Sequence, residues 1–595
     1  MTVTARVFAG LRRRLGPYLF EDSRLSLAVS LYALTQLASI GWDLPCMYGW
    51  ENDGVAPRDL FGGLAFNLTP GNGHRYPLFH YLLLALLTWP VLLVAAVRAR
   101  SWRLPDLMQS VLSVPALTGI ALIAKLLAMA MGCLTILALG RIARRTCSSS
   151  AGRWAAGFAM VNLSLSYYGR VSNVDGPYLM WVALSLDRLL DVAERGALRD
   201  YRGFAICAAA ALATKDQAYG VYALTLPVYF VIWPGLVRNA AMATSLHWRR
   251  LGSALLVGAV SYGLMSGAFV NPTGFVHRVR LLTGENSQDW RRYAHGAAGV
   301  WANLSDLARS QSEFFWPWPV LLLAWASAFV LCVRPSGSGL QRKSLQLLPM
   351  AFALSSLLTF TLVAARCEHR FVLPLGLALA YYAGIAAAVL SGRLPRALRY
   401  GLVLVLLVPA ASRSLALHLT QWCDGRRQVE AWLAHLPRGS SVETYGLGVY
   451  LPRFDRSPTA SYRVQRVAPS PAPSKRPPIP GMLEIQAPYG LVAERAPDVL
   501  VVTEGFATRF LPSANTAGHI TSPQTSLFQQ DGDAQTFFAA ALRDRLPGYS
   551  LGFVAETRLP YWAQRLGWTP VHIHGSTAST TWVLVRARNL PKKGS

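Results

Sequence analysis

The stretch GWENDGVAPRDLFGGLAFNLTPGNGHRYPLFHYLLLALL, beginning at Gly49, sets three carboxylates and a basic pair between two long apolar segments. The carboxylates are Glu51, Asp53 and Asp59; the basic pair is His74 and Arg75. Further on, RVSNVDGPYLMW carries Asp175, ATKDQAYG carries Lys215 and Asp216, and AARCEHRFVLP carries Arg366, Glu368, His369 and Arg370. A carboxylate can take a proton from an attacking hydroxyl. Fixed Lys and Arg side chains hold anions through charge-assisted hydrogen bonds. Charges beside apolar runs are costly and usually face a cavity or a partner, so charges from four stretches imply one shared polar site.

The elements that position them belong to a membrane protein. Of the 595 residues, 53% are hydrophobic and only 15% charged, where soluble domains carry about 25% charged residues. The net charge of +27 is not a nucleic-acid footprint, because the basic residues fall in short clusters between apolar runs. Seven scattered cysteines form no CxxC or metal spacing. The basic N-terminus reads as a retained cytoplasmic tail.

Apolar runs at 25–42, 78–97, 119–139, 154–168, 177–190, 203–214, 217–234, 251–270, 316–333, 345–365, 371–390 and 400–417 are candidate spans. Basic clusters orient them, with Arg12–Arg14, Arg141–Arg153, Arg195–Arg202, Arg238–Arg250, Arg334–Lys343 and Arg393–Arg399 facing the cytoplasm. Parity between the first loop and Arg141 removes one crossing, and 78–97, interrupted by Pro90, is placed in the outer leaflet. The expected fold is therefore a polytopic α-helical membrane protein of about 11 transmembrane helices plus an outer-leaflet helix, N-terminus cytoplasmic. Residues 1–24 form the tail, 25–417 the membrane domain with a first outer loop at 43–77, and 418–595 an extracytoplasmic α/β domain. Strands are expected in SVETYGLGVY, PDVLVVTEG, YSLGFVAE and TTWVLVRA, a helix in AQTFFAAALRDRLPG, and a proline-rich connector from Ala468.

Each charge also has a plainer reading. A single Asp or Arg at a helix end is commonly an interfacial anchor. Glu51 and Asp59 read as solvated loop charges, and His369 beside Glu368 as a polar cap rather than a metal ligand.

The order of these features resembles the polyprenyl-phosphate-sugar-dependent glycosyltransferases of the GT-C type, in the branch of protein O-mannosyltransferases and lipid A aminoarabinose transferases. It runs from an acidic first outer loop and a YP step into an apolar helix, through Asp175 and the TK at Thr214–Lys215, to the late RFVLP. The resemblance implies an inverting transfer from a lipid-linked sugar phosphate at the outer face of the plasma (inner) membrane. The acceptor is a protein, a lipid or a glycan. It implies a first-loop acidic residue as base, matched by Asp53, although Gly54 stands where the family has Glu, which leaves Glu51 as a rival. The second acidic position maps to Asp175. Arg75, Lys215, Arg366 and Arg370, flanked by His74 and Tyr76, map to the donor phosphate and sugar. Family members differ in their use of a divalent cation, and no metal motif here argues for one. The rival classes are a transporter or flippase of envelope lipids, which favours midplane sites and inverted repeats, and a non-catalytic envelope scaffold.

Overall fold

The computed structural model describes residues 22–73, 76–232, 245–284, 288–333, 340–454, 460–469, 482–512 and 518–587. The tail arginines Arg12–Arg14, the pair His74 and Arg75, Arg238, Arg334 and most of the proline-rich connector lie outside the described residues. The chain divides into two compact units. One comprises the described residues of 1–41, 54–287 and 295–414; the other those of 42–53, 288–294 and 415–595.

The first unit is helical throughout. Its principal helices are α1 (Ser23–Leu37), α2 (Asp59–Leu68), α3 (Leu78–Val97), α4 (Val114–Thr146), α5 (Ser149–Met160), α6 (Leu163–Tyr168), α7 (Asp175–Arg195) and α8 (Leu198–Thr214). After them come α9 (Ser245–Ser266), α10 (Pro272–Thr283), α11 (Ala297–Phe314), α12 (Trp318–Val333), α13 (Leu340–Ser356), α14 (Leu373–Arg393) and α15 (Arg396–Trp422), the last of which runs on into the second unit. Among the described residues, five helical stretches are long and apolar enough to cross a membrane, including α3, α4 and α14. Rows of exposed apolar side chains, such as Leu82, Leu86, Trp89, Leu93 and Val97 on α3, have lipid rather than water as their natural solvent.

Several expected spans have other bounds. The run at 154–168 breaks at Val161, because the Asn162 side chain accepts the Leu165 N–H and starts a new helix, α6. Asp175 consequently opens α7 and does not close the preceding span. The run at 177–190 becomes a helix of 21 residues, whereas α3 keeps the expected bounds, 78–97, as one helix through Pro90. Helix α4 has 33 residues, about 50 Å of rise.

The second unit is built on a six-stranded sheet of order β3-β2-β1-β4-β6-β5. Strands β1 (Ser440–Tyr445), β2 (Tyr462–Ala468), β3 (Leu483–Gln486) and β4 (Val499–Thr503) run parallel. Strand β6 (Thr581–Arg586) lies antiparallel to β4 and to β5 (Tyr549–Ala555). The continuous apolar run of β4 follows from burial on both faces. One face packs Tyr445, Leu500 and Val502 against Phe506, Phe510, Phe537 and Phe538. The other packs Val442, Val499 and Val501 against Val429 and Leu433 of α16 (Arg426–Leu433).

Candidate active site

Helix α7 begins at Asp175, and its side chain is fully buried. The start is fixed locally, since the Asp175 N–H donates to Asn173 Oδ1 at 2.6 Å. A close approach holds it in place: a Cβ on Gly176 would sit 2.1 Å from the Tyr168 carbonyl oxygen, so no larger residue fits there. Helix α8 ends at Thr214, and Lys215 takes extended backbone (φ −151°, ψ 121°) before a 3-10 turn, Asp216–Ala218. This break turns the Lys215 ammonium onto Asp175 Oδ1 in an ion pair whose members are 2% and 0% exposed. Asp175 Oδ2 has no hydrogen-bond partner among the described residues. Lys215 Nζ also lies 6.0 Å from the Tyr76 ring centroid and 5.9 Å from that of Tyr178.

A second acid–cation pair stands beside the first in the chain. Arg278 of α10 approaches Asp216 Oδ2 at 3.4 Å and is only 3% exposed. Its Nε and one terminal nitrogen make no hydrogen bond among the described residues. A buried guanidinium held by one long ion pair, with a terminal nitrogen left open, can take an anion. Burial pushes the Asp216 carboxyl up to about 6, against the opposing pull of Arg278 and Lys215.

The third group comes from the turn before α14. Glu368 accepts from Arg366 Nε at 3.0 Å and from Arg370 Nε at 2.9 Å, so one carboxylate faces two guanidiniums and a net cation remains. Both guanidiniums lie 5.0 Å from the Phe371 ring centroid. Helix α6 joins this group to the first pair: Gly176, next to Asp175, lies against the Tyr168 carbonyl, and His369 reaches Ser164 one turn back on the same helix. His369 caps the bundle, with Nδ1 2.9 Å from Ser164 Oγ and its ring 4.1 Å from Phe314.

The basic clusters lie at the other end of α7. Arg141 and Arg145 of α4 bind Asp187, and Arg145 also binds Asp191 and Glu194. Asp175 to Arg195 spans about 30 Å of helix, close to a bilayer's hydrocarbon thickness.

The structure thus brings together Asp175, Lys215 and Tyr76, and through helix α6 links them to the turn that carries Arg366 and Arg370. Glu51 and Asp53 belong to the second unit. Glu51, expected to be solvated, is 3% exposed, next to Trp50 at 1%. Asp53 takes the left-handed region at φ 56°, which Asp tolerates better than most residues. The sequence reading missed Arg278; the signal was an Arg pair, Arg278 and Arg280, beside His277 in a short helix rich in apolar residues. Among the described residues no three His, Cys, Asp or Glu side chains converge in a way that could hold a metal ion.

Residues 121–262 match the family model of dolichyl-phosphate-mannose-protein mannosyltransferases. Comparison with curated proteins finds no match. Among solved structures, ArnT from Cupriavidus metallidurans bound to undecaprenyl phosphate is 14% identical, covering 95% of this chain and 100% of that one at a TM-score of 0.44. The archaeal oligosaccharyltransferase AglB from Archaeoglobus fulgidus, in complex with an inhibitory peptide and a dolichol-phosphate, is 11% identical, with coverage of 94% and 88% and a TM-score of 0.42. The resemblance read from the sequence is borne out over the matched segment, which holds Asp175, Lys215 and Asp216: there the chain is similar to glycosyltransferases that use a lipid-linked sugar.

Proposed function

We propose that this protein transfers a sugar from a polyprenyl-phosphate donor to an envelope acceptor by a single inverting displacement, in the plasma (inner) membrane with its C-terminal domain outside. The observation that carries the reading is the buried Asp175–Lys215 pair, standing within the segment matched by the mannosyltransferase model. The acceptor oxygen attacks the anomeric carbon while the bond to the phosphate oxygen breaks. The electron pair leaves on the phosphate, and the acceptor's proton passes to a carboxylate. That carboxylate is Asp53, with Glu51 as its rival. The resemblance supports this choice, because Asp53 stands at the acidic position of the first outer loop. Lys215, Arg278, Arg366 and Arg370, with Arg75 of the first loop, meet the charge that grows on the departing phosphate. Asp175 orients Lys215, and Tyr76 shields the pair. The apolar helix α3 lines the path of the lipid tail.

The test is a mass-spectrometric comparison of surface glycans and glycolipids from cells lacking the protein. The deletion strain is complemented with wild type, Asp53→Asn or Glu51→Gln, each checked for equal membrane levels. Wild type should restore a missing sugar mass that Asp53→Asn does not. Restoration by Asp53→Asn but not by Glu51→Gln moves the base to Glu51. A deletion that alters no glycan sinks the transferase reading.

A further inference from the structure

In the second unit, a short helix, Tyr561–Arg565, exposes large side chains that a water-facing domain has no reason to show. Tyr561 is 67% exposed, Trp562 54% and Leu566 64%. The opposite side of the same turn is anchored. Leu559 and Ala563 pack against Ala416, with Leu419, Trp568 and Val571 around them, and the Val571 N–H donates to Thr420 Oγ1 at 3.0 Å. Trp568 braces Trp562, with ring centroids 5.7 Å apart.

The partner residues fix the level at which this turn sits. Ala416, Leu419 and Thr420 are the last turns of α15, one of the helices apolar enough to cross a membrane. Its basic flank ends at Arg399, and 20 residues of helix from there rise about 30 Å, the thickness of the hydrocarbon core, ending at Leu419. The short helix is therefore braced at the height where hydrocarbon gives way to headgroups. Trp422, 57% exposed, lies one turn beyond on the same helix. Tyr and Trp concentrate at this level because an apolar ring with a polar edge suits the interface. Arg558 and Arg565 flank the turn; Arg558 is 76% exposed in a surface pair with Glu556 at 2.9 Å, and Arg565 lies 4.9 Å over the Tyr561 ring. Cations in that position suit phospholipid phosphates.

We propose that Tyr561, Trp562 and Leu566 insert into the headgroup layer of the leaflet facing this unit, so that residues 558–568 form a membrane seat for the C-terminal domain. The seat does not depend on the transferase reading.

The test uses the full chain with its seven cysteines changed to serine, purified into vesicles of phosphatidylethanolamine and phosphatidylglycerol. One variant carries Trp562→Cys and another Leu566→Cys, each labelled with an environment-sensitive fluorophore. Leu527→Cys, at an exposed position on the helix Pro523–Gln529, is the reference. Labels at 562 and 566 should be quenched at least about threefold more by headgroup-level spin-labelled lipid than the label at 527, and about threefold less by aqueous iodide. Equal behaviour at all three positions overturns the seat. Shielding from both quenchers also overturns it, because the patch is then covered by protein. Hydrogen exchange on the unlabelled wild-type chain gives a second reading that needs no substitution. Residues 556–570 should be slower to exchange in lipid nanodiscs than in detergent, and equal rates count against the seat.

Discussion

Arg426 sets its guanidinium carbon 4.0 Å over the ring of Trp50, while Arg453 covers the same ring at 5.1 Å. Trp50 is 1% exposed and donates to the Leu451 carbonyl at 2.9 Å. Trp42, from the other end of the same segment, donates to Asp424 Oδ2 at 2.8 Å, and Asp424 in turn binds Arg426 Nε at 2.9 Å. Residues 42–53 are thus held inside the second unit by two arginines and an aspartate, although nearly 400 residues of chain separate Trp42 from Asp424.

Removing the central cation should release this segment. Breaking a buried ion pair typically costs about 3–5 kcal/mol, because the surviving charge is left uncompensated. Arg426→Gln should lower the stability of the second unit by about that amount and raise hydrogen exchange across residues 43–53 more than across β4. Arg426→Lys keeps the charge and should recover part of the protection. Unchanged exchange at 43–53 in Arg426→Gln would show that Trp42 and Trp50 hold the segment without it.

The Asp175–Lys215 pair separates strut from machine. Lys215→Met strands a fully buried carboxylate, so it should cost about 3–5 kcal/mol and abolish complementation of the deletion strain. The double variant Asp175→Asn, Lys215→Met removes both charges and should regain most of that stability, as paired deletions of buried ions commonly do. If the pair serves transfer, the double variant reaches the membrane in full and still fails to restore the glycan. A stable double variant that restores the glycan would reduce the pair to packing.

The residues of this site were legible in the sequence unevenly, for physical reasons. Asp175 and Lys215 stood out because a charge beside apolar runs is too costly to be idle. The membrane class followed from the scarcity of charge, and β1, β4, β5 and β6 from runs of β-branched and aromatic residues bounded by turns. Strand β2, YRVQRVA, escaped notice because Arg463 and Arg466 interrupt it, and Arg466 is buried only by virtue of its ion pair with Glu484 on β3. The break at Asn162 was hidden because a cap is made by one side chain inside an unbroken apolar run. Arg278 was overlooked because its partner, Asp216, is 62 residues away in the chain and no local pattern joins them. Placement of residues 42–53 with the C-terminal domain rests on contacts that no spacing rule encodes.

Asp216 offers a test by pH. Burial raises its carboxyl to about 6, and Arg278, 3.4 Å away, is the chief opposing influence. A carboxyl whose pKa is raised on folding favours the folded state most when protonated. Its contribution to stability is therefore complete below the ordinary carboxyl value and is lost as pH rises through about 6. The same titration gates Arg278. Below that pH Asp216 is neutral and the guanidinium is uncompensated, so an anionic donor meets a full positive charge. Above it, the Asp216 carboxylate takes the guanidinium for itself. Transfer measured in membrane vesicles at low donor concentration should therefore fall as pH is raised from about 5 to 8, with its midpoint near that of the carboxyl. The fall should vanish at saturating donor if the effect is on binding. Asp216→Asn keeps the shape of the side chain without the proton, so its profile should be flat across the same window at the low-pH level. A profile identical to wild type in Asp216→Asn would assign the titration to another group and leave Arg278 permanently available to the phosphate.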